Sequence, residues 1–114
     1  ATEFFVSSIK QLNVEQLKAL LGQSKAQTYI LDVRQPEEYR EGHIAGAKLI
    51  PLGELGRRMQ DLPRSREIVC VCHSGSRSSA AARQLAAAGY QVANLRGGMI
   101  AWNRAGLPVK KSAA

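Results

Sequence analysis

Ile68-Val69-Cys70-Val71-Cys72 is the stretch that most narrows what this chain can become. A short apolar run rich in β-branched residues reads as a buried strand. Six residues with a small-residue centre follow, Cys72 to Arg77, and then Ser78-Ser79-Ala80-Ala81-Ala82-Arg83-Gln84-Leu85, a helix start leading into good helix formers. A strand that feeds a helix through a tight loop is the repeating unit of a sheet covered by helices.

The same stretch carries the chemistry. A cysteine at the end of a strand, facing a helix N-terminus, meets unsatisfied backbone N–H groups and a partial positive charge. A free thiol titrates near pH ~8.5, and such a setting lowers that to about 3.5–7.5. The thiolate is the reactive form, which makes Cys72 a candidate nucleophile. Cys70 lies inside the apolar run and reads as a small core hydrophobe. A metal site built from Cys70, Cys72 and His73 is not expected, because neighbouring ligands on an extended strand converge poorly and no fourth ligand is evident. Two cysteines this close in one strand do not form a disulfide framework, which favours a reducing, cytoplasmic setting. Ala1 in place of methionine leaves open a processed, exported product or a domain cut from something larger.

The flanking segments repeat the alternation. Val6-Ser7-Ser8-Ile9 is expected as a first strand. Asn13 and Gln16 form a capping-box pattern ahead of Val14, Leu17, Leu20 and Leu21 at helical spacing, with Gly22 as the stop. Thr28 to Leu31 reads as a second strand ending at Asp32-Val33-Arg34. Pro36 opens a helix to about Glu41, closed by Gly42. Ala47 to Ile50 is a third strand, and Leu52, Leu55, Met59 and Leu62 predict one helix ending at Pro63. After the cysteine loop, a helix runs to about Ala88, Gln91 to Leu95 forms the last strand, and Met99 to Arg104 a final helix with Trp102 facing inward. Strands alternating with helices imply a parallel sheet covered on both faces, with its ligand site at the carboxyl ends of the strands. Asp32-Val33-Arg34, the Cys72 loop and Arg96-Gly97-Gly98 should meet there.

A chain of 114 residues suffices for one domain and one core. No apolar run approaches the ~20 residues that span a bilayer. Sixteen Lys and Arg against nine Asp and Glu give a net charge of +7, which points to an anionic partner. The basic residues are scattered, so a small anion in a basic cleft is expected rather than nucleic acid.

These blocks together resemble a known family. Leu31-Asp32-Val33-Arg34, Glu37-Glu38-Tyr39 and Gly42-His43-Ile44-Ala45-Gly46-Ala47 look like the first half of a rhodanese domain. Cys72 to Ser78 resembles its active-site loop. Leu95-Arg96-Gly97-Gly98-Met99-Ile100-Ala101-Trp102 and Ala105-Gly106-Leu107-Pro108 resemble its carboxyl end. The resemblance covers about Val6 to Val109, one domain followed by a short basic tail. It implies a three-layer α/β fold, with a five-stranded parallel sheet in the order 3-2-4-5-1. It also implies sulfurtransferase chemistry through a Cys72 persulfide, with no cofactor. The expected partners are a small anionic sulfur donor such as thiosulfate and a thiol, cyanide or protein acceptor. A monomer is expected.

Within that chemistry, successive N–H groups of His73, Ser74, Gly75, Ser76, Arg77 and Ser78 can form an anion nest, with Gly75 supplying the turn and the helix near Ser78 its dipole. Arg77 either grips the donor's anionic end or pairs with Asp32 or Glu38. His73 either assists or stands by. Asp32 is expected to support the site by accepting loop N–H groups or orienting an arginine, Arg34 to pair with Glu37 or Glu38, and His43 to hydrogen-bond within a turn. Three rivals remain. A phosphatase or arsenate reductase on this fold carries a cysteine, five residues and then arginine, whereas four residues separate Cys72 from Arg77 here. The others are an inactive interaction module and a persulfide carrier.

Overall fold

The computed structural model describes residues 9–23 and 27–111. Its strands are β1 (Lys10–Leu12), β2 (Thr28–Asp32), β3 (Lys48–Leu49), β4 (Glu67–Val71) and β5 (Val92–Leu95). Its helices are α1 (Val14–Leu21), α2 (Pro36–Glu41), α3 (Leu55–Arg58), α4 (Ser76–Ala87) and α5 (Gly98–Arg104). All strand pairs are parallel, in the order β1-β5-β4-β2-β3, which is 3-2-4-5-1 read from the other edge.

Side-chain alternation along the strands divides the core into two layers. Ile30, Val69, Val71, Ala93 and Leu95 face α1 and α5, where they pack with Leu17, Met99 and Trp102. Leu31, Ile68, Cys70 and Cys72 face the other way, onto Leu55, Ala81, Ala82 and Leu85. β4 is central and buried on both faces, as its apolar run requires.

The local signals were obeyed closely. Asn13 Oδ1 accepts from the Gln16 N–H at 2.8 Å while Gln16 Oε1 accepts from the Asn13 N–H at 2.8 Å, a complete capping box. Pro36 stands at the start of α2, and Trp102 is buried on α5.

Several expectations need correction. The first strand is Lys10–Leu12. Val6 to Ser8 lie outside the described residues, and Ile9 is not in a strand but packs against the α4-side core. Position is decided by pairing, since Leu12 sits opposite Leu95 and fills the α1-side core. The single helix over 52–62 is instead a short 3₁₀ turn (Leu52–Glu54), α3, and a second 3₁₀ turn (Met59–Asp61). Gly53 and Gly56 weaken the helix, and the Tyr90 hydroxyl donates to the Met59 carbonyl at 2.8 Å. The apolar spacing still works: Leu55 and Leu62 are buried. Lys110, in the basic tail, exchanges backbone hydrogen bonds with His43 at 2.9 and 2.8 Å.

Candidate active site

Cys72 stands one residue beyond β4, and α4 begins four residues later. The helix starts at Ser76, not near Ser78, because Gly75 takes a left-handed conformation (φ +108°) that turns the chain straight into the first helical turn. The connecting loop is therefore only Cys72 to Gly75, and Ser76, Arg77 and Ser78 belong to the helix. A run of polar residues hid this earlier start, since no apolar residue marks the first turn.

The short loop closes around the sulfur. The Gly75 N–H points at Cys72 Sγ at 3.1 Å, and the Ser78 hydroxyl lies 3.3 Å from it. Cys72 is 1 % exposed and Ser78 0 %. Burial opposes ionisation of Cys72, but the Ser78 hydroxyl and the N–H groups of Ser78, Gly75 and Ser74 outweigh it and bring the thiol below its ordinary pKa. Two residues back, burial and the neighbouring Cys72 push the Cys70 thiol up to about 12. The two thiols, 2 positions apart in sequence, are thus shifted in opposite directions.

α5 holds the loop from the other side. Met99 N–H donates to the Cys72 carbonyl at 2.9 Å and Ile100 N–H to the His73 carbonyl at 3.0 Å. This close approach requires Gly98, whose φ is +55° and whose missing Cβ would fall on the Cys72 carbonyl oxygen and 2.6 Å from that of His73. Gly75 likewise sits against the Gly97 N–H and the Leu95 carbonyl. Gly97 and Gly98 lie against the cysteine loop as expected; Gly98 lets the two backbones touch, whereas a Cβ on Gly97 would meet Ala101 of α5.

Among the charged residues, the partner of Arg34 differs from the sequence reading. Arg77 turns to Glu38 of α2 in a two-pronged ion pair, Nη1–Oε1 at 2.8 Å and Nη2–Oε2 at 2.9 Å. The ion pair is one of its two expected roles. The Arg77 hydrogen bonds hold the Glu38 carboxyl down at about 2, against an opposing burial effect. Arg34 does not pair with Glu37 or Glu38. It is buried against Asp32, with Nε–Oδ1 at 2.9 Å and Nη2–Oδ2 at 2.8 Å, and Nη2 also donates to the Gly42 carbonyl at 2.8 Å. A guanidinium with α2 on one side and a strand end on the other is best neutralised by the carboxylate it shares a turn with. Asp32 therefore orients an arginine, as one expectation had it, and also accepts from the Arg34 N–H at 3.1 Å. His43 Nδ1 sits 2.8 Å from the Tyr39 carbonyl and its ring stacks on Tyr39, which keeps it with α2. His73 and Ser74 are exposed at the loop tip.

One buried partner was missed. Asn94 on β5 is 2 % exposed, faces the Cys72 side of the sheet, and places Oδ1 2.5 Å from Ser78 Oγ. The only available signal was a polar residue inside the otherwise apolar run Val92-Ala93-Asn94-Leu95.

Comparison with known proteins agrees with this architecture. A Thermoplasma volcanium rhodanese-related protein of known structure superposes with a TM-score of 0.84 at 30 % identity, covering 90 % of this chain and 99 % of that one. A protein of Allochromatium vinosum named sulfurtransferase is 37 % identical over 102 residues, 89 % of this chain and 94 % of its own. A Bacillus subtilis protein named as a sulfur carrier is 41 % identical over 97 residues, 84 % of this chain but only 52 % of its own. The sequence fits the rhodanese-like domain pattern over residues 13–105, and with that span and this strand order the chain belongs to the rhodanese-like domain family.

Proposed function

We propose that this chain is a sulfurtransferase that moves a sulfane sulfur from thiosulfate, or a donor like it, to a thiophilic acceptor through a persulfide on Cys72. The observation that carries the reading is the cradle around Sγ: an N–H and a hydroxyl fixed within 3.3 Å of a sulfur whose pKa is lowered. Ionised Cys72 attacks the outer sulfur of the donor. A new S–S bond forms, the donor's own S–S bond breaks, and sulfite leaves with its electron pair. The acceptor's lone pair then takes the outer sulfur, and the Cys72 thiolate returns. Fixed donors solvate the sulfur anion at each stage without reorganising, and losing one such donor typically costs about 2.7–4 kcal/mol of transition-state stabilisation.

The ion pair of Arg77 with Glu38 favours sulfur over phosphate chemistry, because a phosphate loop needs its arginine turned inward. A second reading, a persulfide carrier that hands its sulfur to a protein, draws support from the relative named as a sulfur carrier. A reducing, cytoplasmic setting suits both readings, since Cys70 and Cys72 are free.

The test is the intermediate. Protein treated with thiosulfate and no acceptor should gain the mass of one sulfur on the peptide containing Cys72, and cyanide should remove it as thiocyanate. Release to cyanide at a steady multiple-turnover rate supports the enzyme, whereas loading without turnover supports the carrier. No adduct, together with turnover kinetics showing converging double-reciprocal lines, would mean direct transfer in a ternary complex and refute the persulfide.

A further inference from the structure

Ser78 has one hydroxyl proton and two acceptors within reach, Cys72 Sγ at 3.3 Å and Asn94 Oδ1 at 2.5 Å. It can donate to only one at a time. All three groups are buried, so water is a poor substitute for either partner. If the proton turns to an ionised Sγ, the Ser78 and Asn94 oxygens face each other at 2.5 Å with lone pairs opposed. The amide of Asn94 removes that conflict by a half-turn, which presents Nδ2–H to Ser78 Oγ in place of Oδ1. The other end of the amide is also cared for. Asn94 Nδ2 donates to Gln11 Oε1 at 2.9 Å, and Gln11, on the edge strand β1, is exposed; its Nε2 donates to the Ile9 carbonyl at 3.4 Å, a long bond exchanged when the amide turns with Asn94 and offers Nε2–H to the relocated oxygen.

We propose that Asn94 is a positioning residue for Cys72: its amide turns over when the thiol ionises, freeing the Ser78 hydroxyl to point at Sγ, with Gln11 holding the far end in both orientations. This rests on the reading of Cys72 as an ionised nucleophile, and on nothing about its sulfur donor. The balance is simple. The Sγ proton leaves to solvent, and no other bond to hydrogen breaks. In the ionised form the chain runs Gln11 N–H to Asn94, Asn94 N–H to Ser78, Ser78 O–H to Sγ, each donor polarising the next. Every link is neutral apart from the sulfur. The ionisable groups around Cys72 are Cys70 on β4, His73 exposed in the loop itself and Arg77 on α4, with Glu38 of α2 and Asp32 of β2 bound to Arg77 and Arg34.

The experiment needs no substrate, so it is independent of whether sulfur transfer is observed. The pH dependence of iodoacetamide alkylation at Cys72, located by peptide mass, gives the thiol's midpoint. The side-chain amide resonances of ¹⁵N-labelled Asn94 and Gln11 should move with that same midpoint. In Ser78→Ala the Cys72 charge still forms but the relay is cut, and the Asn94 response should be largely lost. An equal response in both proteins would reduce the effect to the field of the thiolate and overturn the proposal, as would no response in the unaltered protein. Asn94→Leu neither donates nor accepts. The loss falls mainly on the ionised form, whose Ser78 oxygen is left without a donor, so the alkylation midpoint should rise by about half a pH unit. The same change in a Ser78→Ala background should leave the midpoint where Ser78→Ala set it. An unchanged or lowered midpoint in Asn94→Leu, or additive shifts in the double variant, would overturn the relay. Should Asn94→Leu not fold, the two titrations of the unaltered protein and Ser78→Ala decide the matter.

Discussion

Gly98→Ala should uncouple the last helix from the cysteine loop. The added Cβ would meet the Cys72 carbonyl oxygen and lie 2.6 Å from that of His73, both backbone atoms with no side chain to swing aside. Two costs combine. Alanine at φ +55° sits in the left-handed region, at about 1–2 kcal/mol. Relief of the clash requires α5 to withdraw, which sacrifices the Met99 and Ile100 hydrogen bonds to the loop, each contributing about 0.5–1.5 kcal/mol. The sum is about 2–5 kcal/mol, a large part of the ~5–15 kcal/mol that holds a domain together. Gly106→Ala is the matched control. Its φ is +72° but nothing lies within 4 Å of the new Cβ, so only the conformational cost of about 1–2 kcal/mol applies. Urea unfolding followed by the fluorescence of Trp102, buried on α5, reads both stabilities. Iodoacetamide alkylation of Cys72 reads the loop, and should slow in Gly98→Ala while staying normal in Gly106→Ala. Equal destabilisation in the two variants with unchanged alkylation in both would refute the claim that Gly98 sets the loop geometry.

Three further outcomes are expected. Cys72→Ser should abolish persulfide formation and leave the urea midpoint nearly unchanged, whereas Cys70→Ser, which places a hydroxyl in the core, should lower the midpoint and keep sulfur loading. Breaking the buried pair with Arg34→Met should cost about 3–5 kcal/mol by leaving the Asp32 carboxylate without its counter-charge, measured in the same unfolding assay. Glu38→Gln should lower stability slightly at neutral pH and flatten its decline in acid. Its folded carboxyl is held at about 2, below the unfolded value of 4.5, so the stability it adds is present above pH 4.5 and fades as pH falls toward 2. Both partners are about a third exposed, so at neutral pH the difference should stay within about 1 kcal/mol, and a larger loss there would show the pair to be poorly screened.

What could be read from the sequence is what is decided within a few residues. The Asn13–Gln16 cap, the Pro36 helix start and the split of Cys70 from Cys72 all follow from neighbours along the chain. The blocks from Leu31 to Pro108 carried the strand order through family resemblance, which no local pattern contains. What could not be read depends on who meets whom across the fold. Arg34 chose Asp32 over Glu37 and Glu38 because burial at the end of β2 rewards the partner two residues away. Asn94 gave only an isolated polar residue in a strand, and its partners Ser78 and Gln11 are 16 and 83 positions distant. The start of α4 was missed because a single glycine angle, at Gly75, sets it.

The contacts of α5 with the cysteine loop also impose an order of events during synthesis. Cys72 emerges well before Met99 and Ile100, whose N–H groups grip its loop, and β1, the first strand made, must wait for β5 before it has a neighbour. A nascent chain that has reached β4 therefore carries Cys72 with none of these contacts, and parallel pairing of this range is slow to form. The grip of α5 on the Cys72 loop is acquired late, when nearly the whole domain has left the ribosome.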